Sequence, residues 1–313
     1  MSQCLYCYRP TDQEETDFHS SCSKQFFGQP DPPFLPYSES DLEPLALDVI
    51  QAQTALTGVQ PKLSLHLTKS YREGNRKRFT IVGLWGGYIL KPQTPAYLHL
   101  PEVEDLTMHL AQLANIKTAP HSLIRMASGN LAYITKRLDR YKKNKLAMED
   151  MCQLTERLTE HKYQGSYKQV AKAIQKYSAV PGLDVVNFFE LVLFSFLTGN
   201  ADMHLKNFSL LDQPGLGMIL SPAYDLVNTA LVNPADDEEM ALTLNGKKKK
   251  LSRTDFVQAM QTADLEEKQQ ENIFRKMEIA FPDWLSMIDA SFLPEPLKAQ
   301  YKTILQSRMQ QIY

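Results

Sequence analysis

The feature of this sequence that most constrains its fold is a change of hydrophobic pattern near residue 140. Upstream, short runs such as residues 63–67 and 131–137 alternate apolar with polar residues or are rich in β-branched and aromatic side chains, which is typical of strands. Downstream, apolar residues recur at helical spacing, for example over residues 166–178 and 184–198. We therefore expect an α+β protein in which a mainly β half precedes a mainly α half.

Each half contains one exception to its own pattern. In the β half, Pro101 opens a helical run that continues to residue 114, and proline is favoured in the first turn of a helix. In the α half, residues 208–211 and 218–220 predict two strands joined by the turn DQPGLG. Further helices are expected near residues 148–159, 254–261, 266–280 and 295–311.

The N-terminus carries a pattern of cysteine and histidine. Cys4 and Cys7 form C-x2-C, and after eleven residues His19 and Cys22 form H-x2-C. Two ligand pairs at this spacing suit a tetrahedral Zn²⁺ ion, and four protein ligands would make the site structural. The alternative is a set of free or buried thiols beside an incidental histidine. The next segment, residues 28–44, contains five prolines and is expected to be extended, as a linker or a wrap.

The motif that indicates chemistry lies between the predicted helix over residues 184–198 and the hairpin. Residues 199–207 read GNADMHLKN, so Asp202 and Asn207 have the spacing D-x-x-x-x-N. A kinase catalytic loop uses this spacing for a carboxylate that accepts the proton of the attacking hydroxyl and an amide that binds a metal ion. The pair alone is also common in turns. Asp225 follows the hairpin, where a kinase places its second metal-binding carboxylate, and this order favours phosphoryl transfer.

The β half supplies candidate residues for binding phosphates. Lys91 ends the strand-like run over residues 88–91, where its ammonium could meet the α- and β-phosphates of ATP. Glu104 lies on the following predicted helix and could pair with Lys91. Upstream, residues 57–64 read TGVQPKLS, in the position of a phosphate-covering loop. With Gly58 as its single glycine, that segment is equally consistent with a plain turn.

Together these motifs resemble the HipA family of bacterial toxin kinases. The segments that carry the resemblance are residues 58–64, 89–91, 135–140, 149–153, 199–209 and 223–225. The resemblance implies a bilobal protein-kinase-like fold, here with a small Cys/His N-terminal tip at 1–27, an N-lobe at 28–135 and a C-lobe at 136–313. It is strongest to the short HipT-type branch, because the sequence before Gly58 has no room for the N-terminal subdomain of long HipA chains. In such systems that subdomain is a separate small HipS-like protein.

The resemblance also implies roles for individual residues. Asp202 would be the catalytic base with His204 in support, and Asn207 and Asp225 would bind Mg²⁺. The residues expected to bind ATP are Gly58, Val59, Gln60, Lys62, Ser64, Lys91, Glu104, Lys136, Leu138 and Asp139. HipT-like kinases autophosphorylate a Ser-x-Ser pair, which here reads Ser64-Leu65-His66. Ser64 is therefore the expected autophosphorylation site.

The function implied is that of a serine/threonine protein kinase, the toxin of a type II toxin–antitoxin system. It would transfer the γ-phosphate of ATP to a protein hydroxyl, with an aminoacyl-tRNA synthetase as the suspected substrate. Two alternatives stay open: a catalytically silent kinase fold that binds partner proteins, and a kinase of small molecules or lipids. The presence of Lys91, Asp202, Asn207 and Asp225 favours an active enzyme over a silent one.

Charge and hydropathy indicate the partners and the compartment. The chain has 34 basic and 36 acidic residues, a net charge of −2, so we expect DNA association only through a helix-turn-helix antitoxin. The most apolar run, residues 185–197, contains Asn187 and Glu190 and is shorter than the ~20 residues that span a membrane. With no recognisable secretory signal, the sequence predicts a cytoplasmic protein without direct DNA or membrane binding.

Overall fold

The computed structural model describes residues 2–11, 16–42, 44, 62–69, 77–82, 86–141 and 144–313. Within them, the strands are β1 (Leu63–Lys69), β2 (Lys77–Ile81), β3 (Tyr88–Pro92), β4 (His121–Arg125), β5 (Leu131–Lys136), β6 (Arg140–Tyr141), β7 (Asn144–Lys145), β8 (Met148–Asp150), β9 (Ser209–Gln213) and β10 (Gly217–Leu220). The helices are α1 (Ser20–Phe27), α2 (Leu100–Leu113), α3 (Met151–Leu154), α4 (Tyr167–Tyr177), α5 (Pro181–Leu197), α6 (Thr229–Val232), α7 (Arg253–Gln261), α8 (Glu267–Asp289) and α9 (Glu295–Ile312). The predicted α+β class is confirmed.

The chain divides into two compact units, and the first is built on a five-stranded antiparallel sheet. This unit comprises residues 1–105, 119–137 and 290–292, and its strand order is β2-β1-β3-β5-β4. Phe26 and Phe27 of α1 pack on Phe79 and Tyr88 of the sheet, with ring centroids 6.0 to 6.5 Å apart. Phe79 and Tyr88 stack edge to face at 5.2 Å. Helix α1 therefore covers an aromatic patch of the sheet with the apolar side chains at its C-terminal end.

Segments from the N-terminus hydrogen-bond to both outer strands of this sheet. At β2, the Phe34 amide donates to the Lys77 carbonyl (3.1 Å), and the Phe79 amide donates to the Phe34 carbonyl (3.0 Å). At β4, the Leu123 amide donates to the carbonyl of Leu5 (3.3 Å). Outer strands expose unpaired backbone groups that can template aggregation, so these two contacts protect the sheet on both sides.

The second unit is mainly helical and surrounds the apolar helix α5. It comprises residues 106–118, 138–289 and 293–313. Helix α8 continues through Pro282 although proline in a helix interior costs about 3 kcal/mol. The part beyond this proline is held by Trp284, which is fully buried, donates from Nε1 to the Leu110 carbonyl (2.8 Å) and packs on Phe194. For this reason the helix extends past the expected end at residue 280.

The predicted hairpin is present as β9 and β10, and a third strand joins it. Strand β8 pairs with β9, with Asp150 opposite Ser209. The prediction of one helix over residues 148–159 was wrong, because Met148–Asp150 is a strand and only Met151–Leu154 is helical. Asp150 ends the strand and begins the helix, since its side chain accepts the Gln153 amide as an N-cap. In the described part of the chain, no helix is long and apolar enough to cross a membrane.

Gly86 lies where β1 approaches most closely. A Cβ atom built there would be 2.4 Å from Ser64 Oγ and 2.5 Å from the Leu65 carbonyl oxygen. We predict that Gly86→Ala lowers the free energy of unfolding by about 1–3 kcal/mol, because the backbone of β1 must move. Gly87→Ala is the matched control, since a Cβ atom there meets nothing within 4 Å. Equal denaturation midpoints for the two variants would contradict the prediction.

Candidate active site

The loop after α5 holds Asp202 and Asn207 together through one carbonyl group. The Asp202 carbonyl oxygen accepts the His204 amide (2.8 Å) and the Asn207 side-chain Nδ2 (3.2 Å). Because Nδ2 is bonded there, the Asn207 side-chain oxygen is the atom that could bind a cation. Gly199 makes the turn into this loop at φ 69°, and a Cβ atom on it would lie 3.0 Å from Asn228 Oδ1. Glycine is favoured at such a position.

Tyr163 contacts the Asp202 carboxylate directly. Its hydroxyl donates to Asp202 Oδ1 at 2.6 Å. Burial and the hydrogen bond to Asp202 raise the pKa of the Tyr163 phenol, so this group stays protonated and remains a donor at neutral pH. The two residues are 39 positions apart, which is why the sequence motif gave no sign of the contact. Tyr163 therefore holds one oxygen of the expected catalytic base.

His204 is a buried residue of the same loop. It is only 6% exposed, and its ring meets the Tyr163 ring edge to face at 5.0 Å. Burial lowers the pKa of His204, although the charges of Asp202 and Asp225 act in the opposite direction. The imidazole is therefore neutral at pH 7. The charges of Asp202 and Asp225 therefore both act on the His204 ring.

Asp225 has an unusual backbone conformation. Its φ is 60°, in the left-handed region where aspartate and asparagine are the most tolerated residues after glycine. The preceding Tyr224 anchors the turn, because its hydroxyl donates to the Lys206 carbonyl (2.9 Å) and hydrogen-bonds with Ser209 Oγ (2.6 Å). Strained backbone is often found at functional sites. This backbone conformation constrains the direction in which the Asp225 side chain projects from the turn.

An ion pair links this loop to the strand-helix junction of β8 and α3. Lys206 Nζ lies 2.6 Å from Asp150 Oδ2, while Asp150 Oδ1 accepts the Gln153 amide. The Met151 amide donates to the Phe208 carbonyl at 3.0 Å. Residues 149–153, one of the motif segments, thus contact the candidate catalytic loop through Asp150 and Met151. The sequence did not predict these contacts.

Lys91 and Glu104 meet in the first unit. Lys91 Nζ forms an ion pair with Glu104 Oε1, and the two side chains are only 5% and 1% exposed. The ammonium also lies 5.3 Å from the centroid of the Tyr133 ring, which is opposite Lys91 in the β3–β5 register. The structure therefore brings together the pair that the sequence suggested.

The remaining residues expected to bind ATP are spread over several elements. Gly58, Val59 and Gln60 lie outside the described residues. Lys62 is exposed just before β1, and Ser64 Oγ in β1 accepts the Gly86 amide at 3.1 Å.

The last three of these residues lie around the end of β5. Lys136 ends the strand over the Phe26 ring, and burial lowers its pKa. Leu138 follows it in the chain, and Asp139 is buried with Oδ2 2.6 Å from Arg140 Nη1. Sequence alone did not indicate that Arg140 pairs with Asp139.

The N-terminal cysteines and histidine form a cluster. One ligand atom each of Cys4, Cys7, His19 and Cys22 lie within 4.8 Å of one another. Burial acts to raise the pKa of the Cys4 thiol. Hydrogen bonds from backbone groups, the largest from His19, outweigh burial, so the pKa is lowered. Burial and then the charge of Cys4 raise the pKa of Cys22 to about 12. The cluster thus brings together three thiols and one imidazole, which are ligand types that Zn²⁺ accepts.

Comparisons with known proteins agree on one family and one fold. Residues 54–285 match the family model of the HipA-like C-terminal domain. Two relatives from Sinorhizobium fredii, named "Putative kinase Y4dM" and "Putative kinase Y4mE", are 29% and 30% identical over 68% and 64% of this chain. The chain spans about half the length of these curated relatives, 54% and 48% respectively.

Two solved structures resemble the chain. One is HipA of Shewanella oneidensis MR-1, solved with HipB and operator DNA, with a TM-score of 0.70 and 20% identity, covering 90% of this chain and 72% of that one. The other is the Helicobacter pylori proinflammatory kinase CtkA, with a TM-score of 0.51 and 16% identity, covering 72% and 87%. At these identities the likeness shows the fold, which is the kinase-like fold expected from the motifs.

The buried pair makes a measurable contribution to stability. We predict that Glu104→Gln lowers the free energy of unfolding by about 3 kcal/mol, because it removes one charge from a buried ion pair. Glu295→Gln is the matched control, since its pair with Lys298 has a carboxylate that is 84% exposed. That change should cost less than about 1 kcal/mol. Chemical denaturation measures both, and similar losses would contradict a special role for the buried pair.

Proposed function

This chain belongs to the family of HipA-like C-terminal domains, and we propose that it is an ATP-dependent serine/threonine protein kinase. The observation that carries the proposal is the loop geometry that ties Asn207 to the Asp202 carbonyl, with the charges of Asp202 and Asp225 both acting on His204. These are the groups that phosphoryl transfer requires, in the order of a kinase catalytic loop. The similarity to the HipT-type branch stays a prediction.

In the proposed reaction, a hydroxyl of the protein substrate attacks the γ-phosphorus of ATP as the bond to the β-phosphate oxygen breaks. The Asp202 carboxylate orients this hydroxyl and accepts its proton, and ADP leaves with the electron pair of the broken bond. Tyr163 occupies Asp202 Oδ1, so Oδ2 is the oxygen assigned to the hydroxyl. The ring of His204 packs edge to face against Tyr163.

The residues assigned to ATP and metal binding fit those groups chemically. Asn207 supplies an amide oxygen and Asp225 a carboxylate, which are ligands that Mg²⁺ accepts. When bound, Mg²⁺ neutralises charge on the phosphates. Lys91 is assigned to the phosphates, and Glu104 orients its ammonium group.

The biological role is proposed by analogy with the family. We assign the chain to the toxin side of a type II toxin–antitoxin module, with a helix-turn-helix antitoxin and a small HipS-like protein as partners. Support comes from the Shewanella HipA structure, which contains HipB and operator DNA. An aminoacyl-tRNA synthetase is the proposed substrate, and its phosphorylation would halt translation. DNA contact would come from the antitoxin, since this chain has a net charge of −2.

Removing the proposed base tests the reaction. We predict that Asp202→Asn lowers the rate of phosphate transfer from γ-labelled ATP to proteins of a cell extract by at least about 100-fold, since general-base catalysis contributes about 10²–10⁴. Asp212→Asn, a change of an exposed carboxylate on the neighbouring strand β9, should leave the rate unchanged.

The nature of the labelled species separates the alternatives. A label on protein serine or threonine supports the proposal, and labelled small molecules or lipids would favour the other kinase class. A silent binding protein would be favoured by two results together. Neither the wild type nor Asp212→Asn would transfer phosphate, and expression of Asp202→Asn would still arrest growth.

Ser64 is the proposed autophosphorylation site, and a phosphate there would add about −1.5 to −2 charge units. We predict that Ser64→Asp weakens ATP binding at least about tenfold, because a negative charge beside the phosphates repels them. Thr68→Asp is the matched control, since Thr68 lies on the same face of β1 four residues away. Calorimetry measures both affinities, and unchanged binding by Ser64→Asp would sink the idea.

A further inference from the structure

The cluster of Cys4, Cys7, His19 and Cys22 has the dimensions of an occupied metal site. His19 Nδ1 lies 3.5 Å from Cys7 Sγ and 3.6 Å from Cys22 Sγ. In a tetrahedron with Zn–S bonds of about 2.3 Å and a Zn–N bond of about 2.05 Å, sulfur and nitrogen are about 3.6 Å apart. Both sulfur–nitrogen distances therefore fit tetrahedral Zn²⁺, and the three cysteines are free thiols rather than members of a disulfide.

The outer hydrogen bonds of the cluster also match a metal site. His19 Nε2 lies 2.9 Å from the Pro10 carbonyl oxygen, so Nε2 carries the proton and the lone pair of Nδ1 faces the sulfurs. Histidine ligands of zinc nearly always donate their other ring N–H in this way. The nitrogen side of the cluster is thus already arranged for a metal ion.

A metal ion would explain how the short helix α1 is held. Helix α1 has only eight residues, and its N-cap residue His19 makes no side-chain capping bond. Isolated helices of this length are unstable in water. His19 and Cys22 stand at its first turn, so an ion bound by both would fix the beginning of the helix, while Phe26 and Phe27 fix its end on the sheet.

The same cluster lies beside the outer edge of β4. Leu5, between Cys4 and Cys7, is fully buried, and its carbonyl accepts the Leu123 amide (3.3 Å) and Ser122 Oγ (3.2 Å). Its own amide donates to the Asp17 carbonyl at 2.8 Å. The Asp17 carboxylate in turn pairs with Arg125 of β4. Each of these contacts involves a residue close to a proposed ligand, since Leu5 follows Cys4 directly and Asp17 lies two residues before His19.

We propose that Cys4, Cys7, His19 and Cys22 bind one structural Zn²⁺ ion, and that this ion clasps the N-terminal segment onto the outer edge of β4. The four protein ligands fill the tetrahedron, so the ion takes no part in catalysis. The proposal goes beyond the kinase function and does not depend on it. It assigns to the tip a role in completing the sheet of the first unit.

Metal content tests the ligand set. The full chain purified without chelator and with a non-thiol reductant should contain about one zinc per chain by elemental mass spectrometry. The zinc content of Cys7→Ser and of Cys22→Ser should be at least about tenfold lower than that of the wild type, since each change removes one of four ligands. Cys152→Ser is the matched control, because that buried thiol lies outside the cluster. His19→Cys should retain the zinc, since four thiolates also form a structural site.

Cobalt exchange tests the geometry in the unmutated chain, so a variant that fails to fold does not decide the result. Wild-type protein loaded with Co²⁺ should show the intense visible bands of a tetrahedral ion and thiolate-to-cobalt charge transfer. Wild-type zinc content no higher than that of Cys22→Ser, or a cobalt spectrum of an octahedral ion, would overturn the site.

Hydrogen exchange tests the clasp. Chelation of the zinc should speed exchange of the Leu123 amide at least about tenfold, while the Phe79 amide, bonded to Phe34 at the opposite edge, should change less. The Phe79 amide is thus an internal control for general loosening. No change at Leu123, or an equal change at both amides, would overturn the clasp even if zinc is bound.

Discussion

The arrangement of the candidate active site depends on one backbone carbonyl, that of Asp202. By accepting both the His204 amide and the Asn207 side chain, it sets the distance between the expected base and the expected metal ligand without using either functional oxygen. Hydrogen bonds within a short loop cost little chain entropy, because the bonded residues are close in sequence. The spacing of these two candidate residues is therefore set within the loop itself. Preorganisation of this kind is a main source of catalytic power.

The sheet of the first unit depends on a different kind of contact, the covering of its two outer strands. Five antiparallel strands leave two outer strands, and the N-terminal segment meets both, with Phe34 at β2 and Leu5 at β4. The prolines around Phe34 are suited to this, because they favour extended chain and offer few free donors. Leu5 has no such help from its neighbours. At Leu5, the proposed zinc ion would hold the chain against the outer strand, as the prolines favour extended chain around Phe34.

Much of the fold was predictable because its signals are local. Helix α2, the hairpin of β9 and β10 and the catalytic spacing are patterns within about twenty residues, and each is present. The contacts that the sequence did not predict join distant segments: Tyr163 to Asp202, Asp150 to Lys206, and Leu5 to β4. A side chain's partner across many residues is set by the packed fold, which no local pattern encodes.

The error at residues 148–159 has the same origin. The apolar spacing there fits a helix, but pairing with β9 claims the first three residues as a strand. Asp150 then begins the helix where the strand ends. The boundaries of the tip and of the two lobes stay predictions for a related reason, since composition marks a change of pattern but not which contacts cross it.

The left-handed backbone of Asp225 bears on how this chain can vary. In the proposed function, a residue there must satisfy two demands, a carboxylate for metal binding and a conformation that most side chains avoid. Asparagine meets the second demand alone and glycine meets it best, whereas glutamate offers the charge but fits the backbone poorly. If the proposed role is right, we therefore expect aspartate at this position in active relatives. A lineage that gave up the chemistry would be free to relax the turn first.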